Sequence, residues 1–435
     1  MSEAGDARIA HHAPSDPARW ARLRLTDLAQ YHNGVAFKPA DWSRDGLRIV
    51  RIEQLNNPTG QFDRYTGPVS ELNRICDGDL VFSWSATLKV VIWRHGDAVL
   101  NQHLFKVVPA EGFDRTFLYF LLDYSMEALG AGSHGSTMKH IKRSELQKFV
   151  VDVPGLPTQR KIAAILTSLD TAIEKTEALI EKHQQIKAGL MHDLFTRGVL
   201  PNGQLRPLRE QAPELYEETS HGWMPRGWEA TTLRACLAEG ATNGIYKPAH
   251  LIGSGALLIG QTALTPDRSV DPELARRAII EAAELQRFGV YADDILVSRV
   301  FATVEGVGQP ALVPPLEEPA VFESNMMRFR VNAKLMRPRL LFEWLKTDRC
   351  RRHINGRANA SNQASVSQAV LYPMVVPVPP LDEQDRMLAT VGGCTARIAE
   401  DLATLSKQRC LKTGLMQDLL TGKVPVKVAA TGVPA

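Results

Sequence analysis

The sequence predicts an α/β (α+β) protein built as a two-fold internal repeat. Two mixed α/β domains are separated by two long helices that pair as an antiparallel coiled coil. Three observations carry this prediction: a stretch that recurs without a gap, an apolar pattern of helical period within it, and short β-rich runs before each copy. At 435 residues the chain is long enough for two or three domains.

The repeat matches residues 156–196 with residues 381–421 at a constant offset of 225. Thirteen of the 41 positions are identical, whereas chance at average composition gives roughly two or three. The densest stretch is KAGLMHDLFT against KTGLMQDLLT. Upstream the match continues with gaps and pairs NGVAFKP with NGIYKP, DLVFS with DILVS, LNQHLFKVV with SNMMRFRVN, and Trp20 with Trp228. The whole unit is therefore written twice, and Asn101 is matched with Asn325.

Apolar residues inside the repeat recur at alternating steps of four and three, which is typical of a coiled-coil seam. Each helix follows a proline-bounded strand, with Thr158 or Asp382 as the predicted cap. The two helices are expected to bury their apolar stripes against each other. The seam positions are Ile162, Leu166, Leu169, Ile173, Thr176, Ile180, Leu190 and Leu194 in the first copy, and Met387, Val391, Cys394, Ile398, Leu405, Leu415 and Leu419 in the second.

The regions before the helices contain short β-rich runs such as DLVFSW and KVVIW. One helix is expected near residues 117–129, and its counterpart near residues 340–354. The predicted boundaries are a disordered leader at 1–18, the first domain at 19–155, the first helix at 156–199, a linker at 200–222, the second domain at 223–380, the second helix at 381–424 and a tail at 425–435.

Composition excludes several classes of protein. The formal net charge of +3 gives no general affinity for nucleic acid, so any basic surface must be local. The five cysteines form no C-x-x-C pair, which favours a reduced compartment. The sequence has no apolar run of about 18 residues. We therefore expect a soluble, cytoplasmic protein that has no contact with a membrane.

Two similar domains on paired helices indicate a pseudo-two-fold axis, as in dimeric DNA-binding proteins. The offset between copies grows from 208 at Trp20 to 225 near Phe117, so the domains differ in their loops. Unequal domains on a fixed spacer predict a bipartite, asymmetric DNA site.

Over nearly its whole length, the chain resembles a known family, the specificity (S) subunits of Type I restriction-modification enzymes. The resemblance is carried by several motifs in order: GDLVFSWS, LNQHLFKVVP, GSTMKHI, VPGLPTQRKIAAIL, GWMPRGWE and PPLDEQ. The family usually has an acidic residue before the glutamine, as in Asp382-Glu383-Gln384, where the first copy has Pro157-Thr158-Gln159. We interpret this difference as a change of helix cap.

The resemblance implies a non-catalytic subunit. Its two target-recognition domains would each read half of a double-stranded DNA site, and its conserved helices would set the spacer. The helices would also dock methylation (M) subunits, two of them, and restriction (R) subunits would join through these. S-adenosylmethionine, ATP and Mg²⁺ are expected on the partner subunits, with no cofactor, metal or catalytic residue in this chain.

Base-reading residues should be polar or basic side chains in loops. Two basic clusters, at 139–148 and 346–357, flank equivalent loops and favour a surface facing phosphates, although a solvated charged face is the alternative. Asn101 and Asn325 could instead satisfy a turn. The DNA-binding candidates are Ser85, Thr87, Lys89, Gln102, Ser136, Thr137, Lys139 and His140 in the first copy, and Arg299, Thr303, Asn325, Arg351, Arg357, Asn359, Ser361, Asn362 and Gln363 in the second.

The glycines inside the helices suggest close contacts of the backbone, because each costs about 1 kcal/mol relative to alanine in a helix. The apolar residues beside them have two interpretations, packing of helix on helix or docking of the methylation subunits. The partner-docking candidates are Gly189, Leu190, Met191, Leu194, Gly414, Leu415, Met416 and Leu419.

Three other interpretations of the sequence are a nucleotide-binding site, a self-contained methyltransferase and a coiled-coil scaffold without DNA. The stretch GAGSHG at 130–135 fits G-x-G-x-x-G, but a predicted helix precedes it and the second copy has NGRANA there, so a loop is favoured over a nucleotide site. A self-contained methyltransferase would need an Asn/Asp-Pro-Pro-aromatic motif, and PVPPL near Pro377 has neither the acid or amide nor the aromatic residue. A coiled-coil scaffold without DNA gives no reason for two large, different domains.

Overall fold

The computed structural model describes residues 12–14, 16, 19–131, 141, 143–265, 268–360 and 363–428. The chain divides into two compact units. One consists of Met1–Ala178 with Ala403–Ala435, and the other of Leu179–Leu402. The division cuts each long helix near its middle, so each unit holds one domain, the start of one long helix and the end of the other.

The first half of the chain is a mixed α/β domain that leads into a long helix. Its strands are β1 (Trp20–Arg24), β2 (Ala29–Asn33), β3 (Leu47–Val50), β4 (Arg64–Tyr65), β5 (Arg74–Ile75), β6 (Leu80–Ser83), β7 (Lys89–Ile92), β8 (Ala98–Leu100), β9 (Leu104–Pro109) and β10 (Val150–Pro154). Its helices are α1 (Leu25–Leu28), α2 (Ile52–Asn56), α3 (Arg115–Ala131), α4 (Arg143–Lys148) and α5 (Leu156–Arg197).

Two four-stranded sheets form the first domain. One has the order β2-β9-β6-β7 and is antiparallel throughout. The other has the order β4-β3-β8-β5, with β3 and β8 parallel. The first strand, β1, pairs with β10, the strand just before the long helix. The domain therefore closes on itself before α5 begins.

The second half repeats this plan. Its strands are β11 (Tyr216–Thr219), β12 (Gly222–Pro225), β13 (Glu229–Thr232), β14 (Thr242–Asn243), β15 (Ile252–Ile259), β16 (Arg276–Ala278), β17 (Ile295–Ser298), β18 (Val300–Phe301), β19 (Pro310–Leu312), β20 (Ala320–Phe322), β21 (Met326–Phe329), β22 (Asn359–Ala360), β23 (Ala364–Ser365) and β24 (Val375–Val378). Its helices are α6 (Ala282–Phe288), α7 (Pro338–Leu345), α8 (Asp348–Asn355), α9 (Gln368–Leu371) and α10 (Leu381–Leu420).

The sheets of the second domain match those of the first. The order β14-β21-β17-β19 corresponds to β2-β9-β6-β7, and β16-β15-β20 corresponds to β4-β3-β8, again with one parallel pair. Strand β13 pairs with β24 as β1 does with β10. A small sheet, β18-β23-β22, is added beside the end of β17. The internal duplication and the mixed α/β class predicted from the sequence are both confirmed.

Each core includes both long helices. In the first unit, Ile162 and Leu166 of α5 and Met416 and Leu419 of α10 are buried in one cluster with the residues of the first domain. In the second unit, the same positions of the other copy do the same: Met387 and Val391 of α10 with Met191 and Leu194 of α5. Burying these side chains supplies the apolar contacts that fix the helices to the sheets.

The two long helices run antiparallel within each unit. In the first unit Asp170 bonds Lys412 at 2.6 Å and Glu177 bonds Arg409 at 2.6 Å, so residue numbers rise along one helix as they fall along the other. In the second unit His183 Nδ1 lies 2.7 Å from Asp401 Oδ2. The predicted antiparallel pairing is confirmed.

Other details of the predicted elements are wrong. The helices begin at Leu156 and Leu381, so Thr158 and Asp382 lie inside the first turn and are not caps. The helix expected at 340–354 is two helices, α7 and α8. Thr347 lies between them, and its hydroxyl donates a hydrogen bond to Trp344 O at 2.7 Å. The linker at 200–222 contains strand β11, which pairs with β12.

Candidate functional site

Several of the predicted residues in the first domain lie at one end of the sheet β2-β9-β6-β7. Strand β6 ends at Ser83, which stands opposite Lys89 on one neighbouring strand and Leu104 on the other. The hydroxyl of Ser83 donates to the Thr87 carbonyl at 2.7 Å and so fixes the turn between β6 and β7. Gln102 lies two residues before β9, which begins at Leu104. The structure therefore brings the turn at 84–88, Lys89 and Gln102 together.

Only some of these side chains are free to meet a ligand. Thr87 and Gln102 are exposed, whereas Ser85 is buried. The ammonium of Lys89 donates to Leu55 O at 2.8 Å, so it is anchored on the domain itself. The local geometry favours Thr87 and Gln102 as contacts and assigns a structural role to Ser85.

The corresponding sheet end of the second domain carries Arg299 and Asn325. Strand β17 ends at Ser298, opposite Met326. The backbone N–H of Arg299 donates to Asn325 O at 2.7 Å, and its Nε donates to Ser324 O at 3.3 Å. Asn325 and Thr303 are exposed and Arg299 is half-buried. The Arg299 guanidinium makes one hydrogen bond to the backbone through Nε, and its remaining N–H groups are the donors that a base or a phosphate would use.

A second loop reaches the same end of each sheet. Ile141 N donates to Trp84 O at 2.9 Å, and Val366 N donates to Arg299 O at 3.0 Å. These two residues stand at the repeat offset of 225. Asn359 lies on β22, which joins this sheet end through β23 and β18, and Asn359 and Gln363 are both exposed. The candidates that lie outside the described residues are Ser136, Thr137, Lys139, His140, Ser361 and Asn362.

The match of Asn101 with Asn325 is wrong by two residues. The backbone N–H of Gln102 donates to Val35 O, and the equivalent bond of the second domain runs from Ser324 to Ile245. Asn101 therefore corresponds to Glu323. Asn101 is buried, and its side-chain oxygen accepts from the His103 N–H at 3.4 Å, as expected for a residue that satisfies a turn.

The glycine of each NG motif is explained by this same crossing. A Cβ at Gly34 would collide with the Asn101 carbonyl, and a Cβ at Gly244 would collide with the Glu323 carbonyl. Only glycine lets the two backbone segments approach this closely. The glycine of the repeated motif thus positions the loops at the sheet end.

Arg351, proposed from the sequence as a DNA contact, has a structural role. Its Nη2 donates to Glu305 O at 3.0 Å, Val307 O at 2.7 Å and Asn355 Oδ1 at 3.0 Å. Burial lowers the pKa of this guanidinium, and the positive charge of Arg268 lowers it further. Arg357, by contrast, is exposed, with Nη1 3.3 Å from His353 Nδ1. Of these two arginines, Arg357 is the one available to a phosphate.

The proposed docking residues divide in the same way. Met191, Leu194, Met416 and Leu419 are buried in the domain cores, and Leu190 and Leu415 are partly buried against them. The predicted close backbone contact at the two glycines is not found. A Cβ at either would meet no atom of the described chain within 4 Å.

A different face of each helix is exposed. In α5 it carries Ile186, which is 49% exposed, beside Gly189. In α10 it carries Leu411, which is 54% exposed, beside Gly414. The flanking charges also repeat at the same offset. We name these surfaces the two outer helix faces; they comprise Lys182, Ile186, Gly189 and Asp193 in α5, and Lys407, Leu411, Gly414 and Asp418 in α10.

The sequence reasoning missed the buried polar groups at the starts of the long helices. Gln159 Oε1 accepts from Asp114 N at 2.8 Å, and Gln384 Oε1 accepts from Arg337 N at 2.7 Å. Both amide groups also donate to a proline carbonyl just before the helix, Pro154 O at 2.9 Å and Pro379 O at 2.8 Å. Their identity in the two copies was the available signal. These glutamines lock each helix onto its own domain.

Glu383 is the second feature that was missed. It accepts two bonds from the Arg206 guanidinium, one from Val199 N at 2.9 Å and one from Trp228 Nε1 at 3.1 Å. Both charged side chains are almost fully buried. The acidic residue is therefore part of a buried ion pair, and the interpretation of this position as a helix cap is wrong.

Two kinds of feature are absent from the described residues. No helix within them has the length and apolarity needed to cross a membrane. In the same part of the chain, no three His, Cys, Asp or Glu side chains are grouped so that they could hold a metal ion.

Comparison with known proteins gives a consistent result. Residues 17–183 match the family described as "Type I restriction modification DNA specificity domain". The chain is 24% identical over 382 residues to the Type I restriction enzyme EcoBI specificity subunit of Escherichia coli, a match that covers 86% of this chain and 78% of that protein. It is 20% identical over 435 residues to the MjaVIII specificity subunit of Methanocaldococcus jannaschii, covering 96% and 95% of the two chains.

Solved structures share the fold. The S subunit of a Type I restriction-modification system from M. genitalium aligns with a TM-score of 0.51 at 13% identity, over 97% of this chain and all of that one. A chain from a structural study of assembly and conformational transition in a Type I system aligns with a TM-score of 0.54 at 16% identity, over 95% and 99% of the two chains. The resemblance stated from the motifs is confirmed.

Proposed function

Because this chain is a specificity subunit of the Type I restriction-modification class, we propose that its two domains read the two halves of a bipartite, asymmetric site on double-stranded DNA. The supporting observation is that each domain presents the same sheet end with different side chains. Thr87 and Gln102 stand there in the first domain, and Arg299 and Asn325 in the second. Two domains with the same backbone arrangement but different side chains at the sheet end would read different DNA sequences.

The chemistry of these side chains fits base edges. An arginine donates two parallel bonds to guanine, and amide side chains pair with adenine in the major groove. Thr303, Asn359 and Gln363 extend the surface of the second domain, and Arg357 offers a phosphate contact beside it. The candidates outside the described residues remain part of this proposal: Ser136, Thr137, Lys139, His140, Ser361 and Asn362.

The two outer helix faces are the proposed docking surfaces for two methylation subunits, in place of the buried leucines and methionines. They repeat at the same offset in both helices, so two copies of one partner could use them equally. Each combines an exposed aliphatic side chain, a glycine that allows close approach, and charges of both signs. Restriction subunits would then join through the methylation subunits.

Substituting arginine for Gly189 or Gly414 should weaken this assembly and leave the fold intact. Each side chain would enter open space, and a helix gains about 1 kcal/mol when glycine is replaced by a better helix former. We expect each single variant to bind one methylation subunit in place of two, and the double variant to bind none, as measured by light scattering of the mixed proteins. Gly393→Arg is the matched control, since Gly393 is exposed in α10 and lies outside the repeated face. If the double variant still binds two methylation subunits, the outer helix faces are not the docking surfaces.

We propose that catalysis and its cofactors belong to the partners. S-adenosylmethionine would bind the methylation subunits, and ATP with Mg²⁺ would serve the restriction subunits. The role of this chain is to place the methylation subunits over the correct bases.

The purified chain alone should transfer no methyl group from labelled S-adenosylmethionine to genomic DNA, and its complex with the methylation subunit should do so. Mapping methylated bases across the genome, with and without the gene, should give one motif with two defined halves and a fixed gap. Methyl transfer by the isolated chain would contradict the non-catalytic role. A single uninterrupted motif would contradict the reading by two domains.

A further inference from the structure

A cleft of about 390 Å³ lies on the second sheet of the first domain, β4-β3-β8-β5. None of the candidate DNA-binding residues at the end of the other sheet lines it. Arg48 of β3, Arg64 of β4 and His95 before β8 line it, together with Thr59 and Gly60. The charged residues of its lining, Arg48 and Arg64, are both cationic.

The two arginines stand directly opposite each other on antiparallel strands. Side chains in such positions have Cβ atoms about 4.5–5.5 Å apart, and like charges there are destabilising. The neighbouring acids do not relieve this repulsion: Asp63 bonds Arg51 at 2.6 Å, and Asp97 pairs with Arg74. Within the described residues, neither Arg48 nor Arg64 has a carboxylate within ion-pair distance.

Backbone carbonyls hold both guanidinium groups in place. Arg48 Nη1 donates to His95 O at 3.3 Å, and Arg64 Nη1 donates to Gly46 O at 3.0 Å. These acceptors are neutral, so they orient the side chains without cancelling their charge. Each guanidinium has further N–H groups that can donate to a ligand.

The second domain shows what the same place looks like without this cluster. Arg48 stands opposite Ala98 in the parallel pair, and Leu257 stands opposite Ala320 in the equivalent pair, so Leu257 replaces Arg48. Arg277 corresponds to Arg64 and stands opposite Leu257.

Arg277 is neutralised by a carboxylate. It bonds Glu318 at 2.7 and 2.8 Å. In the register of the parallel pairs, Glu318 stands where the first domain has Gly96. One domain thus has an arginine with its acid, and the other has two arginines and no acid.

We propose that the cleft at Arg48 and Arg64 binds a phosphate group, and that this group is a phosphodiester of the DNA held by the first domain. The ligand supplies the negative charge that the second domain builds in as Glu318. The assignment to DNA rests on the proposed function, whereas the binding of phosphate does not. At the equivalent place the second domain has Leu257 and the ion pair of Arg277 with Glu318, so the two domains would hold the DNA backbone differently.

The first test measures phosphate alone on the full chain. Inorganic phosphate should raise the melting temperature of the wild type by about 2–4 °C more than chloride at equal ionic strength. The variants Arg48→Leu, which installs the residue of the second domain, and Arg64→Gln should lose this extra increase. Arg277→Gln is the matched control and should keep it. Equal increases in all four proteins would reflect a general salt effect and overturn the site.

The second test uses the complex with the methylation subunit and the duplex found by methylation mapping. Loss of one phosphate contact should make the slope of log affinity against log salt shallower by about 0.9 for Arg48→Leu, with the base preference unchanged. Arg277→Gln should leave the slope as in the wild type. A lost phosphate response with an unchanged slope would keep the anion site and assign it to a free phosphate group. If the wild-type complex binds no duplex, the proposed function fails, and the melting experiment still decides the anion site.

Discussion

Replacing Glu383 by alanine is expected to lower the free energy of unfolding of the second unit by about 3–5 kcal/mol. The substitution removes four hydrogen bonds and leaves the Arg206 guanidinium buried without a counter-charge. An uncompensated buried charge costs far more than an exposed one, because water cannot reach it. Urea unfolding of the full chain, followed by tryptophan fluorescence, measures the loss.

Asp385→Ala provides the matched control in the same helix. Asp385 also accepts two bonds from an arginine, Arg337, at 2.8 and 2.7 Å, but about half of its side chain is exposed. Exposed pairs contribute about 0–1 kcal/mol. If alanine costs the same at positions 383 and 385, the ion pair of Glu383 is not the element that joins α10 to the segment after α5.

Inserting one heptad into each long helix is expected to change the recognised spacer and leave both half-sites intact. Seven residues lengthen a helix by about 10.5 Å, which corresponds to about three base pairs of DNA at 3.4 Å each. The insertions are placed after Ala178 and after Leu402, where the two compact units divide. Methylation of the original site should fall by about 100-fold or more, because two linked contacts that cannot engage together lose their avidity.

The measurement is a genome-wide methylation map for the wild type and the insertion variant. The control is a single insertion in α5 alone, which shifts the ion pairs of Asp170 with Lys412 and of His183 with Asp401 out of register. It should give no defined site. Altered half-site bases with an unaltered gap would show that the helices do not set the spacer.

The sequence predicted the large elements because duplication and helical period are properties of long stretches. The 41-residue match without a gap required the same structure twice, and the stripe through Ile162 and Leu166 required a buried face. The pairing of the two helices followed from their apolar stripes. The family resemblance also rested on motifs spread along the chain, such as GDLVFSWS and PPLDEQ.

The finer errors have specific physical causes. The apolar stripe of a helix shows that a face is covered but not what covers it. Met191 and Leu194 were therefore predicted to contact a partner protein, although they are buried in the domain core. Arg351 looked like a surface charge because backbone carbonyls, which accept its bonds, leave no trace in the sequence. Asn101 was misplaced because the segments before and after its loop differ in length between the copies, although the loop itself, from Leu100 to Leu104 and from Phe322 to Met326, does not. The ion pair of Glu383 joins residues 177 positions apart, a distance at which no local pattern operates.

The burial of Met416, Leu419 and Leu420 in the core of the first domain has a consequence for synthesis of the chain. The domain that the ribosome makes first cannot complete its core until residues 416–420 have been made. The second unit needs only residues 179–402 and can close earlier. The amino-terminal unit should therefore finish folding last, the reverse of the usual order for domains. A truncation before residue 416 should leave its apolar surface open to chaperones and proteases.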